Sequence, residues 1–341
     1  CGLIRIRHSC VCSLIVYLNI FSPFNRTKIY AGNDTTVTEF LLTGLSIIPG
    51  FEYLYFILFL IIYTVTMLGN ASIILAYNMC STLHTPMYFY LTNFSFIEIC
   101  YVSITVPKLL SDLLTERKSI SFFGCAVQMY CFFLIAGMES CVLAAMAYDR
   151  YNAICHPLLY KITGNKKVCV QLLAGAWFIS AVNSYILTHL TFSLFFCCNI
   201  INHFFCDIPP LMKLACRVNL INEFAVFAIG GLNIIGPCIV IAISYARVIA
   251  AILNIHSTSG RRKAFSTCTS HFITVTIFYG SGMFTYLTPQ SSSSMDNDSQ
   301  IALMYTVFAP LLNPFIYTLR NSDVSLAFRK IIQQIVSTTK F

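Results

Sequence analysis

Apolar positions in this chain come in long unbroken runs, parted by short polar stretches that carry most of its charge. Seven runs approach or exceed the roughly 20 residues that an α-helix needs to cross about 30 Å of hydrocarbon. They fall at about 53–77, 87–107, 122–151, 168–190, 222–253, 264–288 and 300–319. Strands of a membrane barrel would be about 10 residues long with strict alternation. These runs are neither, so the pattern predicts helices, which satisfy their own backbone groups inside lipid. The expected fold is an all-α membrane protein, a seven-transmembrane helix bundle. Beyond the last run, Ser322 to Gln334 places Val324, Phe328, Ile331 and Ile332 on one helical face beside Arg329 and Lys330. That is the pattern of a short amphipathic C-terminal helix lying on the inner leaflet.

Composition excludes a soluble globule. Only 10% of the 341 residues are charged and 57% are hydrophobic, against about 25% charged in soluble domains. Charge then sets the orientation. The loops after the third and fifth runs and the tail, with the adjoining helix ends, hold Arg150, Lys161, Lys166, Lys167, Arg247, Arg261, Arg262, Lys263, Arg320, Arg329, Lys330 and Lys340. The opposite loops hold Lys108, Arg117, Lys118, Lys213 and Arg217, partly offset by Asp112, Glu116 and Asp207. The excess of lysine and arginine puts the first group in the cytoplasm and the N-terminus outside. The net charge of +8 is scattered and never forms a block, so the expected partner is a lipid bilayer and no nucleic acid.

Residues 1–32 fit this pattern poorly. Val11 to Phe21 is too short to span, although Arg5, Arg7 and His8 ahead of it resemble the basic region of a signal peptide. The reading adopted is a non-native or disordered N-terminal extension, with the seven-helix domain over 33–320 and a cytoplasmic helix and tail over 321–341. Asn33-Asp34-Thr35 is a glycosylation sequon in the outer leader, and Asn25-Arg26-Thr27 is a second.

Polar groups inside apolar runs mark candidate sites, because they are costly to desolvate. Asp149 and Arg150 sit at the inner end of the third run, in MAYDRYNAICHPLLY. A snorkelling anchor is the plainer account of such an arginine. Glu98 and Glu139 are intramembrane carboxylates, with Asn70, Ser140 and Asn313 on runs able to face them. A polar, hydrated network that rearranges on activation is expected there, with packing as the alternative. No nucleophile or metal set accompanies them, so no catalytic or metal site and no cofactor is expected. His271 stands alone, and a lone histidine is more often structural. Most of the 16 cysteines lie in apolar runs, where cysteine acts as a small hydrophobe. Cys125 lies at the outer mouth of the third run, and Cys197, Cys198, Cys206 and Cys216 lie in the outer loop after the fourth. A bridge from Cys125 would pin that loop as a lid, but spacing leaves the connectivity open.

Several motifs together carry a resemblance. They are Thr-Glu-Phe-Leu-Leu at 38–42, Gly69-Asn70, LHTPMYF at 83–89, MAYDRYNAICHPL at 146–158, Ser244-Tyr245, KAFSTCTSHF at 263–272, Phe278-Tyr279-Gly280-Ser281 and PLLNPFIYTLRN at 310–321. In this order, each at its helix end, they resemble the olfactory (odorant) receptors within the rhodopsin-like G-protein-coupled receptors, over roughly Asn33 to Ile332. The resemblance implies a plasma-membrane receptor that binds a small volatile odorant within the bundle and activates a heterotrimeric G protein of the olfactory stimulatory type, raising cAMP. It also implies that the protein is not an enzyme. By the same similarity, Arg150 pairs with Asp149 at rest and receives the G protein when the inner ends of the fifth and sixth helices move outward. Tyr151, Tyr245, His271, Asn313, Pro314 and Tyr317 belong to that switch, and Cys125–Cys206 and Cys197–Cys216 are the implied bridges. Departures are Asn152 in place of an aliphatic residue, Glu98 in place of an aspartate, and the extra Cys198.

The implied ligand site takes in the outer halves of the third, fifth and sixth helices. Met129, Phe133 and Ala136 recur on one face, Val226, Ile229, Gly230 and Asn233 on a second, and Tyr279, Gly282, Met283 and Tyr286 on a third. Such stripes on their own are more often packing core than pocket. The outer half of the third run carries no acid to pair with a protonated amine, so the expected ligand is neutral and largely apolar. A small-solute transporter or channel is the different-class alternative, but its internal repeats are not found. A non-signalling product of a decayed receptor gene is the other.

Overall fold

The computed structural model describes residues 37–45, 48, 50–158, 160, 165–216, 220–254, 256–287, 295–320 and 326. The extension over 1–32, Asn33 and nearly all of the expected amphipathic helix lie outside the described residues.

Seven long helices form the bundle: α1 (Glu52–Met79), α2 (Pro86–Leu114), α3 (Phe122–Cys155), α4 (Lys166–Phe192), α5 (Leu220–Leu253), α6 (Thr258–Leu287) and α7. The last is three segments end to end, Met295–Leu303, a π-helical turn Met304–Phe308, and Ala309–Arg320. Local chemistry sets the starts. Pro86 opens α2 with its φ already helical. The Ser121 hydroxyl caps α3 by accepting from the Gly124 amide at 3.0 Å, and Asn165 caps α4 by accepting from Lys167 at 3.1 Å.

The helices outrun the predicted limits. α2 continues through Pro107 to Leu114 instead of ending near 107, and α6 begins at Thr258 instead of 264. Apolar length marks only the part that crosses hydrocarbon, and the backbone ladder continues into the interfacial layer. Among the described residues, six helices are long and apolar enough to cross a membrane. α6 has the length, at 30 residues, but is too polar to join them. It takes its place by packing on α7, α5 and α3, with its Ser270, His271 and Thr274 side chains buried.

The third helix is central and touches α2, α4, α5 and α6. Its Phe132, Met138, Val142, Leu143 and Met146 anchor the main apolar core with Ile97, Tyr101 and Val106 of α2. Lipid-facing positions such as Leu54, Ile57 and Leu68 of α1 are exposed and apolar, as a bilayer solvent requires.

A small sheet closes the outer end. Strand β1 (Glu39–Leu42) pairs antiparallel with β2 (Ser119–Ser121) and parallel with β3 (Ile200–Ile201). Alternation buries Phe40 and Leu42 beneath it, and Arg117 forms an ion pair with Glu39 across the β1–β2 pair. Two disulfides hold the lid, Cys125–Cys206 and Cys197–Cys216, which is the pairing the family resemblance implies. Cys198 is exposed and outside both.

Candidate ligand cavity and the Arg150 cluster

Between α3, α4, α5 and α6, beneath the lid, lies a cavity of about 120 Å³. For scale, a dry cavity of about 150 Å³ takes up benzene. The α3 wall is Phe132, Phe133, Ala136, Gly137 and Ser140. The α5 wall includes Val226, Gly230 and Asn233, and the α6 wall is Phe278, Tyr279 and Gly282. From the lid, Ile208, Pro209 and Met212 form the roof. Asp207 caps that short turn by accepting from the Ile208 amide at 2.7 Å, and it also accepts from the Tyr305 hydroxyl at 3.5 Å.

The expected ligand residues divide. Phe133, Ala136, Asn233 and Tyr279 line the cavity. Met129, Ile229 and Met283 do not. Met129 is one turn further out, buried in the separate apolar cluster under β1 and the lid, and Ile229 packs against that cluster. Met283 packs on the main core, and the Tyr286 side chain lies outside what the structure describes. The fourth wall is absent from the sequence expectation. Ser180, Asn183, Ser184 and Leu187 of α4 all line the cavity. Their spacing of three, four and seven residues marks one helical face, a signal available in the sequence. Gly137 permits this approach of α4, since a Cβ there would come within 3.0 Å of the Ser180 Oγ.

Polar groups punctuate an otherwise apolar surface. The Ser140 hydroxyl lies 2.7 Å from the Tyr279 hydroxyl and donates to the Asn233 carbonyl at 3.2 Å. Ser140 therefore belongs to the cavity floor and not to the carboxylate network expected for it. Of the other members, Glu98 and Asn313 are joined directly, while Asn70 bonds backbone carbonyls. The Asn313 amide donates to Glu98 Oε1, and Thr274 donates to Asn313 Oδ1 at 3.1 Å. Asn70 donates to the Pro310 carbonyl at 3.4 Å, while Glu139 is buried and interacts electrostatically with Glu98. Beside Asn70, Gly69 lets α1 touch α7, because a Cβ there would lie 3.1 Å from Pro314 Cβ.

At the end of the bundle that carries Arg150, the arrangement differs from the Asp149–Arg150 pair expected at rest. Among the described residues no ion pair joins the two. Asp149 accepts instead from the Tyr160 hydroxyl at 3.0 Å, and Arg150 donates to the Tyr245 hydroxyl at 3.2 Å. Adjacent residues on a helix point apart, so each finds a partner on a different element. Tyr245 Oη lies 2.7 Å from His271 Nδ1, and His271 Nε2 lies 3.1 Å from the Leu143 carbonyl. A carbonyl can only accept, so Nε2 carries the proton, and in a neutral ring Nδ1 accepts from Tyr245. The chain Arg150, Tyr245, His271, Leu143 thus ties α3 to α5 and α6. Tyr317 packs edge-on against Phe94 with ring centroids 6.0 Å apart, within electrostatic range of Arg150. Tyr151 is 3.0 Å from His156 Nε2, just beyond the helix, and the Asn152 carbonyl receives the His156 amide.

In the lid, His203 is buried beside Phe204 and Phe205. Burial pushes its imidazole down to about 4, the Phe205 carbonyl pulling the other way.

Comparison with known proteins gives one consistent result. The olfactory receptor family model matches residues 59–335. A mouse protein, Olfactory receptor 5AR1, is 47% identical over 88% of this chain and 97% of its own length. Human Olfactory receptor 8G1 is 45% identical over 89% of this chain and 97% of its own, and human Olfactory receptor 9G4 is 44% identical over 93% and 97%. With its helical bundle and its motifs at the helix ends, the chain belongs to the olfactory receptor family: it is a multi-pass membrane protein of a signalling receptor family, and not an enzyme.

Proposed function

We propose that the protein is a plasma-membrane odorant receptor, its N-terminus outside, that binds a small volatile ligand in the cavity and activates a heterotrimeric G protein of the olfactory stimulatory type to raise cAMP. The observation that carries this reading is that one pair of helices serves both ends. α5 and α6 wall the cavity with Asn233 and Tyr279, and the same helices hold Arg150 through Tyr245 and His271. From Asn233 to Tyr245 is about 18 Å of helix, so a ligand that changes the packing of α5 and α6 outside alters the Arg150 contacts inside.

The expected ligand is neutral and weakly held. About ten heavy atoms at roughly 0.6 kcal/mol each give about −6 kcal/mol, or tens of micromolar. Such a ligand shifts a pre-existing equilibrium only by its differential affinity, and roughly 5.5 kcal/mol is needed for a near-complete switch. Partial agonism over a broad chemical range is the corresponding expectation. Asp149, Arg150, Tyr151, Tyr245, His271, Asn313, Pro314 and Tyr317 form the output side of this reading, and Glu98, Glu139 and Asn70 its middle.

The test is an odorant screen by cAMP reporter in cells expressing the chain behind an initiating methionine. Odorant-dependent cAMP that needs the stimulatory G protein supports the reading. Ligand flux across proteoliposomes without G protein, and no cAMP, would overturn it.

A further inference from the structure

We infer that the α4–α5 wall of the cavity is built to receive a carbonyl oxygen, so that the ligands of this protein are small volatile ketones, aldehydes and esters. This rests on the reading of the cavity as the ligand site and names the chemistry that site selects.

Among the described residues, those around the cavity include no acid, no lysine, no arginine and no histidine, so a carboxylate or ammonium would enter unpaired at high cost. Recognition therefore falls to neutral polar groups, and most are already used. The Ser184 hydroxyl donates to the Tyr130 carbonyl at 2.5 Å, and Ser140 and Tyr279 are bonded to each other. Two side chains have capacity left. The Ser180 hydroxyl is buried, at 2% exposure for the residue, and among the described residues its polar neighbour is the Cys141 thiol, a weak hydrogen-bond partner. One helical turn away, the Asn183 amide donates to Asn233 Oδ1 at 2.7 Å, bridging α4 to α5. That single bond leaves both N–H groups of the Asn233 amide unspent. Exchanging the O and N of both amides reverses the bond but still leaves one amide with two free donors.

The sign of the unmet demand decides the ligand class. A buried N–H or O–H without an acceptor is costlier and rarer than a carbonyl short of one donor. Buried Ser180 and half-buried Asn233 offer donors, and a carbonyl oxygen accepts with two lone pairs while bringing no donor of its own. An alcohol brings an O–H that has to find an acceptor in the wall as well. The cavity size selects a short chain or a single ring for the rest of the molecule.

The experiment measures cAMP potency in cells expressing the full chain, with surface amount read in parallel. The probes are 2-hexanone, hexanal and butyl acetate, set against hexane, hexan-2-ol and hexanoic acid. The three carbonyl compounds should be the most potent. Ser180→Ala removes a hydroxyl whose polar neighbour is the weakly bonding Cys141 thiol, so surface amount should be kept while the half-maximal concentration of 2-hexanone rises roughly 3- to 10-fold. Asn233→Leu should raise it further, with the response to hexane least affected. Equal or greater potency of hexane, hexan-2-ol or hexanoic acid would overturn the assignment. So would an unchanged 2-hexanone response in both Ser180→Ala and Asn233→Leu at matched surface amount. If all six probes are silent while a mixture of carbonyl-free odorants raises cAMP, the carbonyl assignment falls and the receptor reading stands. If both are silent with the receptor at the surface, both fall.

Discussion

The Arg150 guanidinium donates to the Tyr245 hydroxyl at 3.2 Å, and with the bond from the Cys155 thiol to the Arg247 carbonyl it links this end of α3 to α5. Because Tyr245 also meets His271 at 2.7 Å, one phenol couples three helices.

Arg150→Ala is expected to leave surface expression intact and abolish odorant-driven cAMP. Tyr245→Phe removes only the shared hydroxyl and should reduce the maximal response several-fold while ligand potency changes less. A concentration–response series with surface immunolabelling checks both, and unchanged maxima would remove Arg150 and Tyr245 from the output path.

Gly69→Leu should destabilise the bundle by about 1–3 kcal/mol, the usual cost of overpacking. The cause is the 3.1 Å approach of Pro314 to the place a Cβ would occupy. Thermal unfolding in detergent should show a lower midpoint for Gly69→Leu than for Gly69→Ala, which asks for a smaller shift.

Breaking the lid bridge by Cys206→Ser should cost about 2–5 kcal/mol and cut surface delivery sharply. Cys198→Ser should do neither, because Cys198 is exposed and outside both disulfides. Flow cytometry of the two variants side by side decides it.

His203 should make the protein less stable in acid. Its ordinary pKa of 6.5 falls to about 4 in the folded lid. Between these values the unfolded chain binds a proton that the folded chain does not, so stability falls as pH drops from about 6.5 toward 4 and is level above. The melting midpoint followed across that window should flatten in a His203→Phe variant.

Helices were the legible part of this fold, because a run of apolar residues long enough to cross a bilayer admits little else. Their ends were less so, since Thr258 to Lys263 is helix without being apolar. In the site, Phe133, Asn233 and Tyr279 followed from helical spacing together with the resemblance. Ser180 and Asn183 show the same spacing, but periodicity cannot say which face of α4 turns toward α5. The partner of Asp149 was hidden for another reason. Tyr160 lies eleven residues on, beyond the His156-Pro157 break, where no repeat links loop to helix.

The strand at Glu39–Leu42 has a consequence for the order of assembly. Its two partners are Ser119–Ser121 and Ile200–Ile201, so the earliest described segment of the chain pairs with one of the later loops. Non-local closure of this kind is slow compared with helix formation. During synthesis, β1 can meet Ser119–Ser121 after two helices, but Ile200–Ile201 follows the fourth, so the sheet is completed only with the lid. Until that later loop is in place, the cavity below lacks the roof that Ile208, Pro209 and Met212 supply.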